Sequence, residues 1–337
     1  MTIDDALNAL PAAFEAKNYE WCEQISTQII AIQPHNPVAL FFLGSVKEAQ
    51  GQVAEAAAAY RAVSLAFPHN TNFFERAIRT MPPEALNDFV REYQQNKSRI
   101  LAFPNKPALE LVNNPAGQMF VPVYPDNDVI AIAIKSGAIF DDHIISCAAK
   151  YIAPGMTVID VGANFGQMSL QFSKFVGPSG RVISIEADDY VHHILSENVQ
   201  INGITNITTV NKAAHEQVGL TVFFPDQDFV RFSTYGSYGI DPSANTGRAV
   251  ETITIDSLGI ETPVGFMKVD VQGCDLFAMV GAKNTIQKYK MPIIFEYEEQ
   301  FQREFNTTFQ DYVDFVIGIG YKFVETVDGI NYLIAPR

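Results

Sequence analysis

Two hydrophobic periods divide the chain. From Asp4 to about Arg99 apolar residues recur at the spacing of amphipathic helices, whereas beyond about Asp128 short, continuously apolar runs alternate with helical ones. The runs 157–161, 181–186, 207–211, 265–270 and 292–296 read as strands buried on both faces, with helices between most of them, and predict a parallel sheet covered on each side. A last pair, 322–326 and 331–335, meets across Val327-Asp328-Gly329-Ile330, an Asp-Gly hairpin signal. Between the two regions the chain is rich in Pro and Asn, and a hairpin is expected of 119–124 against 129–134 around Pro125-Asp126-Asn127. The expected layout is an all-α helical domain over 1–102, a linker with the start of a hairpin over 103–127, and an α/β domain over 128–337. The last should hold a Rossmann-like, doubly wound sheet ending in an antiparallel hairpin.

Within the helical region the chain repeats itself. Pro34-His35-Asn36 returns 34 residues later as Pro68-His69-Asn70, and the same offset pairs Lys17 with Gly51, Cys22 with Ala56 and Ile29 with Val63. Each repeat reads as two antiparallel helices. The better copy carries Leu43-Gly44, Gly51, Ala56, Tyr60 and Pro68, which resembles the tetratricopeptide repeat, with small residues where helices cross and a proline ending the second helix. A degenerate third unit is expected over 71–104, broken at Met81-Pro82-Pro83. So short an array cannot bury a long solenoid core, so it should pack on the rest of the chain, on a protein partner or on a second copy.

Composition acts mainly by exclusion. The formal net charge of -15 is spread thinly, and isolated residues such as Arg61, Arg76 and Arg91 form no basic groove, so nucleic acid is not an expected partner. Cys22, Cys147 and Cys274 lack C-x-x-C spacing, and the histidines lack metal-ligand spacing. Met1-Thr2-Ile3-Asp4-Asp5 is acidic where a secretory signal would be basic and then apolar, and no apolar run approaches a membrane span; a cytoplasmic location is expected.

The sharpest chemical signal is Val158-Ile159-Asp160-Val161-Gly162-Ala163-Asn164-Phe165-Gly166, an apolar strand entering a glycine turn before a helix. Gly162 and Gly166 permit a tight turn and close approach of a ligand, and free N–H groups at a helix start suit a ligand carboxylate. Asp160 can accept from a ligand ammonium or hold the loop through backbone hydrogen bonds. Asn164 stands where a dinucleotide fingerprint has its second glycine, which disfavours a pyrophosphate. The next strand ends in Glu186, whose two oxygens suit a ribose diol, with Ala187 and Asp188 beside it and Asn211 near a base. Asp270 and Glu296 end the fourth and fifth strands. Ligands of open parallel sheets sit beyond the strands' carboxyl ends, so these two should face one crevice and suit proton removal from a hydroxyl. The polar run 233–247 reads either as a loop over a substrate or as a plain connection, and Phe140-Asp141-Asp142 as a helix cap or part of a pocket rim.

In order along the chain, Asp160-Val-Gly-Ala-Asn-Phe-Gly166, Glu186, Thr254-Ile-Asp-Ser-Leu258, Lys268-Val-Asp-Val-Gln-Gly273 and Ile294-Phe-Glu296 resemble the FkbM-type methyltransferases over roughly 128–298. Many members of that family O-methylate sugars or natural-product hydroxyls. The resemblance implies a class I methyltransferase sheet, S-adenosyl-L-methionine as cofactor, and a small-molecule or glycan acceptor. It also implies that Asp160, Gly162, Asn164, Gly166 and Glu186 bind the cofactor, with Ser169 near its methionine moiety and Lys268, Asp270 and Glu296 around the reacting centre. Ala163, Ala187, Asn211 and Asp270 complete the expected cofactor set. Gln272 departs from the family's Lys-x-Asp-Val-Glu-Gly, and an amide orients a hydroxyl without taking its proton. A divalent metal would have to draw on Asp270, Glu296 and Glu298, a thin set of oxygens, so metal independence is expected. The competing reading is a non-catalytic interaction scaffold built on the helical repeats.

Overall fold

The computed structural model describes residues 2–99, 103, 105–225, 234–236 and 239–337. Pro104, at the end of the expected third repeat, and Ser233, Ser237 and Tyr238 of the polar run lie outside the described residues. The chain divides into two compact units, one of Met1–Leu111 with Val121–Ile132, the other of Val112–Phe120, Ala133–Asp226 and Tyr235–Arg337.

The first unit is helical, with Ile3–Glu15, Tyr19–Ile32, Pro37–Ala49, Val53–Ala66, Thr71–Thr80 and Pro83–Arg99 in succession. The recurring Pro-His-Asn supplies helix starts: Asn36 Oδ1 accepts from the Ala39 amide at 3.0 Å and Asn70 Oδ1 from the Phe73 amide at 3.4 Å. Where two helices cross, a Cβ added at Gly44 would fall 2.7 Å from Tyr60 Cε1, so the closest approach needs the missing side chain. Helix Thr71–Thr80 stops before Pro82, and the next begins at Pro83, where proline's missing N–H costs nothing.

The hairpin between the regions is displaced. The paired strands are Leu109–Asn114 and Gly117–Pro122, turning at Pro115-Ala116, while Val129–Lys135 is a helix instead of the second arm. An apolar run of this length does not distinguish strand from helix by period, and the cap decides: Asp128 Oδ1 accepts from the Ala131 amide at 2.8 Å.

In the second unit we number the strands of the main sheet β1 (Thr157–Val161), β2 (Arg181–Ile185), β3 (Ile207–Val210), β4 (Val264–Val269), β5 (Ile293–Glu296), β6 (Tyr321–Thr326) and β7 (Asn331–Pro336). Their spatial order is β3-β2-β1-β4-β5-β7-β6, with β7 antiparallel to both neighbours and β1 to β5 parallel. This is the Rossmann-like, doubly wound layout with a terminal antiparallel hairpin. The order reverses between β1 and β4, the place where such sheets open a crevice at their carboxyl edge. All residues of β1 and β4 are buried, which explains their nearly unbroken apolar runs. Ile159, Val161, Met267, Val269, Ile293 and Phe295 join one core, and each such side chain contributes about 1.5–3 kcal/mol on burial. The Asp-Gly turn of the last hairpin forms as expected, with Asp328 Oδ1 accepting from the amides of Ile330 and Asn331.

A smaller sheet carries Ala213–Ala214, Arg248–Ile253 and Thr221–Phe224. The strand Arg248–Ile253 ends where Thr254 Oγ1 accepts from the Ser257 amide and starts the 3₁₀ turn Ile255–Leu258. Among the described residues no helix is long and apolar enough to cross a membrane.

Candidate functional site

The site follows from register. Val161 at the end of β1 is level with Ile185 of β2 and Val269 of β4, Val269 with Phe295 of β5, and Ile185 with Val210 of β3. Gly162, Glu186, Asp270, Glu296 and Asn211 are therefore each one step beyond a common line along the carboxyl edge. Backbone bonds lock the edge: Gly162 and Ala163 both donate to the Ile185 carbonyl, Asp270 to that of Val161, and Glu186 to that of Val210. A Cβ at Gly162, whose φ is +75°, would lie 1.8 Å from the Asp270 carbonyl oxygen, so only glycine lets the two strand ends touch.

The amides of the loop just before the helix Gln167–Val176 are engaged within the chain. Asn164 N–H donates to Glu186 Oε2 at 2.9 Å, Phe165 N–H to Asn164 Oδ1, and Gly166 N–H to the Ala163 carbonyl. The turn is closed by its own chain. Gly166 is also favoured by its backbone, whose φ of +86° lies in the left-handed region. Glu186 accepts a second amide, that of Asp188, at 2.9 Å on its other oxygen. The Asn211 side chain donates to the carbonyls of Glu186 and Ala187, tying the third strand's end to the acidic turn.

Behind the loop lies a buried charge cluster. Asp160 and Lys268 are register partners in the two central strands, with Lys268 Nζ 3.8 Å from Asp160 Oδ1, 3.1 Å from Asp270 Oδ2 and 2.7 Å from the Gly162 carbonyl oxygen. Burial alone would depress the Lys268 ammonium, but Asp270 and Asp160 outweigh it and hold the group above its ordinary value. Lys268 thus stays charged and pins the glycine loop to Asp270, as an orienting group with its hydrogens in use. Asp160 is fully buried, accepts from Ser169 Oγ, and is pushed up by burial against the pull of Lys268; Ser169 in turn accepts from Ser184 Oγ at 2.8 Å. Asp160 and Ser169 both face this interior network.

The acids at this edge sit in different surroundings. Burial and the nearby Asp270 and Asp275 carboxylates push Glu296 up to about 10, so near neutrality it is an uncharged acid hydrogen-bonded with Asp270. Asp270, whose side chain is 28% exposed, is the more open of the two acids. Burial and Asp188 push Glu186 up to about 7.

Asp275 was not among the residues singled out by pattern. It is 1% exposed, neither side-chain oxygen has a hydrogen-bond partner, and burial together with Asp270 pushes it up from 3.8 to about 7. Its only signal is position, five residues past Asp270 on the same turn. A raised carboxyl favours the fold below its unfolded value and loses that contribution as pH rises through its folded value. Asp275→Asn should therefore gain in Tm over the natural chain progressively from pH 5 to pH 8, by about 5 °C at the upper end. Thermal melts across that range check this; a pH-independent difference contradicts it.

Arg248 had no sequence signal either, 60 residues from its partner. It ion-pairs with Asp188 and, at 3.0 Å, with Asp189, steadying the turn that carries Glu186. The Thr254–Leu258 motif is architectural, because Asp256 accepts from the Asn284 and Thr285 amides and caps the helix Lys283–Tyr289. Among the described residues no group of three or more His, Cys, Asp or Glu is arranged to hold a metal ion.

Residues 160–323 match the family model described as the methyltransferase FkbM domain. A curated relative, the ribosomal protein L11 methyltransferase of Caldicellulosiruptor bescii, is 34% identical over 55 residues, 16% of this chain and 17% of its own length. Similar solved structures include the methyltransferase FkbM from Methylobacillus flagellatus KT, with 17% identity and a TM-score of 0.37 over 57% of this chain and 50% of that one. Another is Aeropyrum pernix fibrillarin in complex with S-adenosyl-L-methionine, with 14% identity and a TM-score of 0.34 over 56% of this chain and 73% of that one. The chain thus spans half of the FkbM structure and about a sixth of the curated relative.

Proposed function

We propose, from the match of residues 160–323 to the methyltransferase FkbM domain, that this chain is an S-adenosylmethionine-dependent O-methyltransferase acting on a hydroxyl of a sugar, glycan or natural product. The observation that carries the reading is the register that sets Gly162, Glu186, Asp270 and Glu296 side by side at one sheet edge.

The donor set suits the cofactor. Each Glu186 oxygen accepts one backbone amide and keeps a lone pair for a ribose hydroxyl, while the open Asp270 carboxylate complements a positive sulfonium. Gly162, Ala163, Asn164 and Gly166 would form the floor under the methionyl end, with Asp160 and Ser169 supporting it from behind, and Ala187 and Asn211 would flank the adenosine. When bound, the cofactor supplies an activated methyl group. The chain's part is alignment and proton removal: Lys268 orients Asp270, Asp270 accepts the acceptor's hydroxyl proton, and protonated Glu296 holds Asp270 in place by hydrogen bonding. The helical unit would serve contacts with a protein partner or a second copy.

Isothermal titration of the full chain with S-adenosylmethionine tests the reading, and no binding at millimolar cofactor sinks it. The charged form of Glu186 is the better acceptor for two ribose hydroxyls, and its proton leaves near pH 7. Cofactor affinity should therefore rise between pH 6 and pH 8, and Glu186→Gln should bind about tenfold more weakly with that rise abolished. An unchanged pH profile in the variant removes Glu186 from the ribose.

A further inference from the structure

A cavity of about 550 Å³ opens beside Gln272, two residues past Asp270, large enough for a sugar-sized ligand. Its lining includes Ile240, Asp241, Ser243, Phe301 and Glu304. Gln272 links it to the reacting edge, because its Nε2 donates to Glu296 Oε2 at 3.2 Å and its amide oxygen remains for a ligand hydroxyl.

Among the described lining residues the charges have one sign. Asp241 and Glu304 are carboxylates, and no Lys or Arg is among the described lining residues. The Ser243 hydroxyl and amide both donate to Asp241 Oδ1, which holds that carboxyl below its ordinary value and leaves its second oxygen unused by the turn. Beside Glu304, Arg303 pairs with Glu299 at 2.8 Å. Phe301 and Ile240 offer apolar surface to a carbon skeleton. Resting on the methyltransferase reading above, we propose that this cavity is the acceptor site and that it selects a hydroxyl compound bearing an amine, such as an amino sugar, over an anionic one. An ammonium group meets Asp241 and Glu304 while a neighbouring hydroxyl meets Gln272 and, beyond it, Asp270. A phosphate or uronate would face both carboxylates.

The test uses the full chain saturated with S-adenosylhomocysteine, its occupancy established by calorimetry, and titrates glucosamine, glucose and glucuronate by ligand-observed NMR. Glucosamine should bind about tenfold more tightly than glucose, glucuronate more weakly than glucose, and the glucosamine preference should shrink with added salt. In the double variant Asp241→Asn, Glu304→Gln the preference should vanish while glucose affinity holds. Equal or tighter binding of glucuronate, a preference that survives in the variant, or engagement of none of the three overturns the inference with cofactor binding intact. Failure of S-adenosylhomocysteine itself to bind overturns the methyltransferase reading beneath it.

Discussion

Replacement of Asp270 by Asn should lower kcat by roughly a hundredfold to ten-thousandfold while cofactor binding stays measurable. The amide keeps the shape of the strand end, and the backbone bond from Asp270 to the Val161 carbonyl does not depend on the side chain. What disappears is the carboxylate proposed to accept the hydroxyl proton. Glu296→Gln is the matched comparison. Because Glu296 is already uncharged near neutrality, its amide retains a donor and should lose turnover only severalfold, by about tenfold at most. Steady-state kinetics with methyl-labelled cofactor separates the two. Full turnover in both variants removes these acids from the mechanism, and a larger loss in Glu296→Gln than in Asp270→Asn reverses their assigned roles.

Lys268→Met should destabilise the chain by about 3–5 kcal/mol, the usual consequence of deleting one member of a buried ionic group. Lys268 is 4% exposed and is the cation facing Asp160, Asp270 and the Gly162 carbonyl. Without it, Asp160 Oδ1, which already lacks a hydrogen bond, faces the interior uncompensated. Denaturant unfolding of the natural and variant chains measures the loss. The glycine loop also loses its tether, so cofactor affinity should fall even under conditions where the variant stays folded. A stability change below about 1 kcal/mol would mean that the cluster does not organise the loop.

How much of this is legible in the sequence depends on whether the deciding interaction is local. The ends of β1, β2, β4 and β5 are legible because each apolar run stops at a charged residue or a glycine, and the sheet edge follows once the strands are parallel. The helix starts at Asn36 and Asn70 are equally readable, each being a side chain capping an amide three residues on. The helix Val129–Lys135 is misread as a strand because seven apolar-rich residues fit either period, and the choice lies with the Asp128 side chain.

The chemistry divides in the same way. Glu186, Asp270 and Glu296 stand out by position. Their protonation does not, since it reflects burial and the convergence of Asp270, Asp275 and Glu296 from two strand ends. Gly162 reads as a flexible turn, yet its physical reason is contact with the Asp270 backbone more than a hundred residues away. The pairing of Asp160 with Lys268 and of Asp188 with Arg248 likewise rests on register and packing that no local pattern encodes.

The most direct examination of the shared sheet edge is a crystal of the full chain grown with S-adenosylhomocysteine. The ribose hydroxyls should lie within hydrogen-bond distance of the Glu186 carboxylate, with the sulfur facing Asp270 across the glycine turn. Well-defined ligand density at any other place on the chain would contradict the account.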